Sequence, residues 1–383
     1  MLTKRLDWRL CASLWLGRVH MISRRVFKSR LDLRSGDWVE VKSAKEIAAT
    51  LDEQGRLERL PFMPEMLQYC GRRFRVSKVA HKTCDTATLL MGRRMRNAVF
   101  LEDLRCDGSG HGGCQARCLF FWKTAWLKPV ESSRPWTSPG ANFTKAAAKF
   151  SEGQLHDTTQ TIMLNGEIRY ICQATEHWAA TEPLRKLAIS HFIEDLRTCN
   201  AKLKDIVKFV GLHLLYQLRY LGFAWRLSVW LYERVHKLAT GRPDPFRCGV
   251  IPEGVQTPED RLNLEPGEWV EVKSHDEIIQ TINNELYNRG LRYNAEMTPV
   301  CGQRFRVAQR VTRIIEEKSG RMITMKNPCI TLEGVYCQAS YTYYSLLCSR
   351  RVTPYFREIW LRRVPSPEIA RPNGSINAHR PES

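Results

Sequence analysis

The chain has 383 residues, of which 43% are hydrophobic and 10% aromatic, enough to build cores and too many for wholesale disorder. Its 59 Lys and Arg against 40 Asp and Glu leave a formal net charge of +19, which favours anionic partners and disfavours cationic ones. Thirteen cysteines in a chain this long, an odd number without tight scaffold spacing, exclude a small secreted disulfide knot and point to a reducing cytoplasm.

Residues 1–30 read as a basic extension. Through residue 31 there are eight Lys or Arg and one acid, Asp7, around the apolar run Leu10 to Leu16. Met21 is as good a start as Met1, and an Arg-rich, acid-poor opening also fits an organelle transit peptide.

Residues 31–130 form the first copy of an internal repeat, and residues 262–364 the second. Gly36-Asp37-Trp38-Val39-Glu40-Val41-Lys42-Ser43 returns as Gly267-Glu268-Trp269-Val270-Glu271-Val272-Lys273-Ser274, an offset of 231. The same offset pairs Glu65-Met66 with Glu296-Met297, Cys70-Gly71 with Cys301-Gly302, and Cys106 with Cys337. After a three-residue insertion Cys114 matches Cys348, and Trp126-Leu127 matches Trp360-Leu361.

Each copy opens with a turn and then alternates Trp-Val-Glu-Val-Lys, the period of a strand. Ser43 with Glu46, and Ser274 with Glu277, have capping-box spacing and predict a short helix. Phe74-Arg75-Val76 and Phe305-Arg306-Val307 start a second strand. In copy two it continues through Ile315, turns at Lys318-Ser319-Gly320 and returns from Met322, a hairpin. Further strands are expected near Cys329 to Cys337 and Ile359 to Val364.

Between the copies, residues 131–182 read as a linker with short strands and residues 183–240 as helical. The stretch 203–238 is the most apolar, but Lys208, Arg219, Arg226 and Arg234 divide it into pieces too short to cross a bilayer, which takes about 20 residues. With Arg219, Arg226 and Glu233 spaced by seven, the stretch is amphipathic. It would pack between the modules, make an oligomer contact or lie on a membrane surface. Residues 241–261 are a second linker and 365–383 a disordered tail.

The expected fold is α+β: two small β-barrel-like modules from a duplication, joined by a mainly helical segment. The opening Gly-acid-Trp-Val-Glu-Val resembles the first strand of Src-homology-3-like barrels, including the KOW type of translation and transcription factors. The wider pattern of Cys70-Gly71, Cys-Gln-Ala and the closing Trp-Leu is similar to a bacterial protein family with a duplicated module, from which no activity carries over.

Three sets of residues could carry chemistry. Cys70, Cys106, His111, Cys114 and Cys118 in copy one, with Cys301, Cys329, Cys337 and Cys348 in copy two, offer the sulfur and imidazole donors zinc takes. Packing of buried thiols is the competing reading, and copy one is the better metal candidate because glycines around His111 let the chain fold back on an ion. Cys172, Glu176 and His177 are a second set, able in type to do nucleophilic or acid-base work. A third is basic and aromatic: Arg72, Arg73, Arg75, Arg93, Arg94, Arg96, Arg304, Arg306, Arg350 and Arg351, with Tyr341, Tyr343, Tyr344 and Tyr355, a mixture suited to phosphates and splayed bases. No phosphate-cradling, dinucleotide or His-Glu-x-x-His motif occurs, which favours a non-enzyme. The leading expectation is therefore a binding or accessory protein presenting a basic surface to nucleic acid or an acidic protein. A metal- or thiol-dependent enzyme or metal-binding protein is the alternative.

Overall fold

The computed structural model describes residues 32–88, 91–130, 152–184, 189–218, 225–341 and 346–366. The N-terminal extension, the Ser/Pro-rich 131–150 stretch, Arg219, Tyr343, Tyr344 and most of the C-terminal tail lie outside them.

The first copy begins with β1 (Trp38–Val41), whose alternation sends Val39 and Val41 into the core, both 0% exposed. Gly36 precedes it at φ +101°, a left-handed turn position suited to glycine. The capping box then forms as expected and starts helix α1 (Ala44–Ala48): Ser43 Oγ accepts from Glu46 N–H at 3.3 Å and Glu46 Oε2 from Ser43 N–H at 3.0 Å. Strands β2 (Arg73–Val79), β3 (Ala98–Arg105), β4 (Leu119–Lys123) and β5 (Leu127–Pro129) complete a curled antiparallel sheet in the order β4-β3-β2-β1-β5. Val39 stands between Phe74 and Pro129. Trp122 and Trp126, both 0% exposed, fill the concave side with Phe62, Met66 and Val76.

Three helices follow in the region read as helical: α2 (Ser190–Arg197), α3 (Leu203–Gln217) and α4 (Trp225–Thr240). Among the described residues no helix is long and apolar enough to cross a membrane.

The second copy repeats the first locally. Strand β6 (Trp269–Val272) and helix α5 (His275–Ile279) carry the same cap, Ser274 Oγ accepting from Glu277 N–H at 3.3 Å. Strands β7 (Arg304–Ile315) and β8 (Met322–Leu332) form the expected hairpin, with Gly320 at φ +74° in its turn. With β9 (Leu361–Arg363) the sheet order is β8-β7-β6-β9. Val270 stands between Phe305 and Arg363, the register of Val39. Cys329 ends up within β8, while no strand follows from Leu332 to Cys337.

The fold is thus α+β with two curled antiparallel sheets joined by a helical region. Its compact units do not coincide with the copies. One unit holds residues 1–210 together with 315–322 and 342–351; the other holds 211–314, 323–341 and 352–383. The turn of the second hairpin and the loop carrying Cys348 therefore belong to the first unit.

Candidate metal centre

Glu65 lies in a short 3-10 helix, Pro64–Tyr69, and is only 6% exposed. A buried carboxylate is costly unless it is compensated. Here the compensation comes from the Gly-rich loop after β3. Gly110 N–H donates to Glu65 Oε1 at 2.9 Å, and His111 Nδ1 stands 3.0 Å from the same oxygen. That second contact is an ion pair, and Nδ1 and Glu65 Oε2 are buried without hydrogen-bond partners. The other imidazole nitrogen, Nε2, is 3.5 Å from Cys106 Sγ, which lies 3.9 Å from Glu65 Oε1. Among the described residues, Glu65, Cys106 and His111 form the one cluster of potential metal donors, all within 4.8 Å of one another.

Cys114 joins the network from the far end of the loop. It lines the same cleft as His111, and its sulfur accepts the Ile315 N–H at 3.3 Å. Burial opposes charge on all three groups, yet their mutual contacts outweigh it. The Cys114 thiol is held below its usual value by the His111 contact and by the N–H groups of Ile315 and Ala116. His111 is raised to about 9 by Cys114 and Glu65, and Glu65 is lowered chiefly by His111. The three groups thus favour one another's charged forms, and a cation brought to the cleft would compete with the imidazole proton for the same donors.

The loop can come this close only because of its glycines. A Cβ on Gly110 would stand 2.7 Å from Glu65 Oε2, and one on Gly108 would stand 2.1 Å from the Cys114 carbonyl. Gly108 also sits at φ +79°.

Cys106, Cys114, Cys118 and Cys172 line one small cleft with His111, Gln173, Ile315 and Glu317, and its free volume is about 40 Å³. That has room for an ion and little else. The 3.5 Å between Cys106 Sγ and His111 Nε2 is close to the edge of a tetrahedron with metal–sulfur and metal–nitrogen distances of about 2.3 and 2.0 Å. A carboxylate on the remaining imidazole nitrogen is the usual device for fixing a ligating ring. The residues present thus fit a soft divalent ion such as zinc. Cys106 and His111 Nε2 would be ligands, Glu65 would hold the ring, and neighbouring sulfurs would complete the set.

Of the nine sequence candidates, four come together here: Cys106, His111, Cys114 and Cys118. Cys70 is buried in the first core, its thiol pushed up to about 12 by burial. Cys301 contacts the Tyr293 hydroxyl at 3.5 Å, Cys329 contacts Arg357 at 3.5 Å, and Cys337 Sγ accepts from Ala339 N–H at 3.3 Å, all in the second unit. Cys348 lies in the first unit, its sulfur accepting the Cys84 N–H at 3.0 Å.

Sequence reasoning missed Glu65, which joins Cys106 and His111 in the donor cluster, and missed Cys172 as part of the cleft. The repeat itself pairs Glu65 with Glu296, and Glu296 accepts from Ser340 and Tyr341 N–H at 2.9 and 2.6 Å. The buried glutamate therefore braces this loop in both copies, and copy one adds an imidazole where the sequence from Cys337 to Cys348 has no histidine. Cys172-Gln173-Ala174 has a structural reason: Gln173 accepts from Phe121 N–H at 2.8 Å and donates to the Phe121 and Pro61 carbonyls at 3.0 Å, seating Cys172 at the cleft. The neighbours read with Cys172 turn away to other partners. Glu176 pairs with Arg56 and Arg169 at 3.0 and 3.2 Å, and His177 contacts Thr83 Oγ1 at 3.0 Å.

The arginine set is dispersed rather than gathered. Arg73, Arg94, Arg96 and Arg304 pair with Glu40, Glu194, Glu182 and Glu271. Arg93 is buried with its guanidinium 3.7 Å from the Trp178 ring centre, and Arg350 is buried against Glu317 at 2.8 Å. Arg75 and Arg306 donate to the carbonyls of Gly36 and Gly267, Arg72 stacks on Phe74, and the Arg351 carbonyl accepts from Arg105. Tyr341 contacts His236 Nε2 at 3.0 Å.

No protein-family model matches this chain, and no match emerges among curated proteins or among solved structures.

Proposed function

We propose that this is a metal-binding protein whose first unit holds one zinc-like ion at Cys106 and His111, with Glu65 orienting the imidazole and Cys114, Cys118 and Cys172 at hand as further sulfur donors. The observation that carries the reading is the cluster of Glu65, Cys106 and His111, the last two of which line a cleft of ionic size. A thiolate nucleophile at Cys114, activated by His111, uses the same residues, but the cleft leaves little room for a substrate beside the sulfur. The bound ion would anchor the Gly-rich loop, so its role here is structural or accessory. The cysteines among the described residues are free thiols, which supports a reducing, cytoplasmic setting.

The finer fold reading goes with it. The repeated Gly-acid-Trp-Val-Glu-Val strand, flanked on both sides by antiparallel neighbours in each curled sheet, supports assigning both modules to the Src-homology-3-like barrels. A basic face for nucleic acid or an acidic protein is a weaker proposal, because most of the arginines first considered for it are engaged within the fold.

The test is elemental analysis of protein purified without added metal, repeated for His111→Ala and Cys106→Ser. About one equivalent of zinc, copper or iron per chain, lost in both variants, is the expected result. Less than about a tenth of an equivalent in the unaltered protein, even after incubation with zinc, overturns the proposal.

A further inference from the structure

We infer that the outward face of α4 is a docking surface for an anionic lipid bilayer, on which this helix lies parallel to the membrane. The helix is held to its own unit by one side only. Ser228, Tyr232 and His236, spaced by four, are buried. Tyr232 packs on Tyr216 at 5.6 Å between ring centres, and His236 contacts the Tyr341 hydroxyl at 3.0 Å.

The opposite side should then be polar, and it is not. Leu227, Trp230, Leu231 and Leu238 recur at helical spacing on one stripe and are 63, 51, 39 and 87% exposed. Arg234 lies within that stripe, 5.3 Å from the Trp230 ring centre. Arg226 and Lys237 flank it, both exposed, and Glu233 is the only acid in the helix.

The charges select among occupants. A second copy of this helix would set three cations against three. Residues 1–31, with eight Lys or Arg and one acid, would be repelled in the same way. An apolar protein groove would have to desolvate Arg234 in the middle of the stripe. A leaflet containing anionic lipid satisfies every group at once. The leucines enter the acyl boundary, Trp230 takes the interfacial level that indoles prefer, and the cations meet headgroup phosphates. This inference stands apart from the ion site, which lies in the other unit.

The experiment is flotation of the full chain with extruded vesicles of phosphatidylcholine containing 30% phosphatidylglycerol, and with pure phosphatidylcholine, at low and high salt. Most of the protein is expected to float with the anionic vesicles at low salt. Because a chain of charge +19 could adhere by charge alone, the deciding variant is Leu227→Ser, Trp230→Ser, Leu231→Ser, which leaves the charge unchanged. Its vesicle affinity should fall by at least about tenfold while circular dichroism and metal content stay as before. A second variant, Arg226→Glu with Arg234→Glu and Lys237→Glu, should lose at least as much. The inference is overturned if the unaltered protein stays at the bottom of the gradient, or if the serine variant floats as well as the parent. It is overturned equally if light scattering shows a dimer that the serine variant dissolves without any flotation.

Discussion

Cys114 and Cys348 hold the same bond one repeat apart: Cys114 Sγ accepts the N–H of Ile315 at 3.3 Å, and Cys348 Sγ accepts the N–H of Cys84 at 3.0 Å. Ile315 and Cys84 are themselves separated by the repeat offset of 231. Each sulfur also accepts from the N–H two residues on, Ala116 or Arg350. The thiol is therefore part of the inherited loop geometry, and copy one adds His111 in a stretch whose copy-two counterpart, Cys337 to Cys348, has no histidine in its sequence.

That pairing supplies a matched control. Cys114→Ser and Cys348→Ser remove equivalent N–H to sulfur contacts and should each cost about 1 to 2 kcal/mol of stability. If the ion site belongs to copy one alone, metal content should drop in the Cys114 variant and stay at one equivalent in the Cys348 variant. Denaturant unfolding and elemental analysis of the two proteins side by side decide it, and equal metal loss in both would remove the distinction.

Gly110→Ala tests the loop from its backbone. The new methyl would meet the Glu65 carboxylate at 2.7 Å, so either the glutamate shifts from His111 or the loop withdraws. A loss of about 1 to 3 kcal/mol and weakened metal retention are expected. Gly71→Ala is the comparison: nothing lies within 4 Å of its added Cβ, so only the strain of φ +74° remains. That variant should keep its metal.

Much of the architecture was legible because it rests on local patterns that occur twice. The alternation at Val39 and Val41, the Ser43 cap and the turn at Gly320 are each written in a few adjacent residues. The site was only half legible. Cys106, His111, Cys114 and Cys118 lie close together in sequence, so their spacing could suggest convergence. Glu65 is forty-one residues before Cys106, and Cys172 follows a long connection; neither distance carries a periodic signal. The arginines misled for a different reason. Sequence shows a guanidinium but not the carboxylate facing it, and Arg94 meets Glu194 only once the helical region is folded.

His177 predicts a pH dependence. It is 3% exposed, and burial, reinforced by Arg350 and Arg93, pushes its basicity well below the ordinary value of 6.5. As pH falls below 6.5 the unfolded chain takes up a proton here that the folded chain refuses. The contribution of this residue is thus fully present above about 6.5 and declines on acidification, by up to about 1.4 kcal/mol per pH unit. Urea unfolding between pH 7.5 and 5 should show a shallower loss for His177→Gln than for the parent. Parallel curves would mean that the buried ring does take up its proton in the folded protein.

One indole bond ties the short helix to the buried tryptophan in each copy. Trp126 and Trp360, both 0% exposed, donate their indole N–H to Thr50 at 3.1 Å and Thr281 at 3.0 Å. Each threonine hydroxyl donates in turn to a helix carbonyl, Ile47 at 2.7 Å or Ile278 at 2.8 Å. The hydroxyl thus links the short helix to the ring beneath the sheet. Valine has the same shape without the polar atom, so Thr50→Val removes the indole N–H's partner in a part-buried position. The cost should be about 1 to 3 kcal/mol, and Thr281→Val should cost a similar amount. Serine keeps the hydroxyl and gives up one methyl, so Thr50→Ser and Thr281→Ser should recover most of the loss. If the valine variants unfold at the same denaturant concentration as the parent, the repeated tryptophan contributes by volume alone.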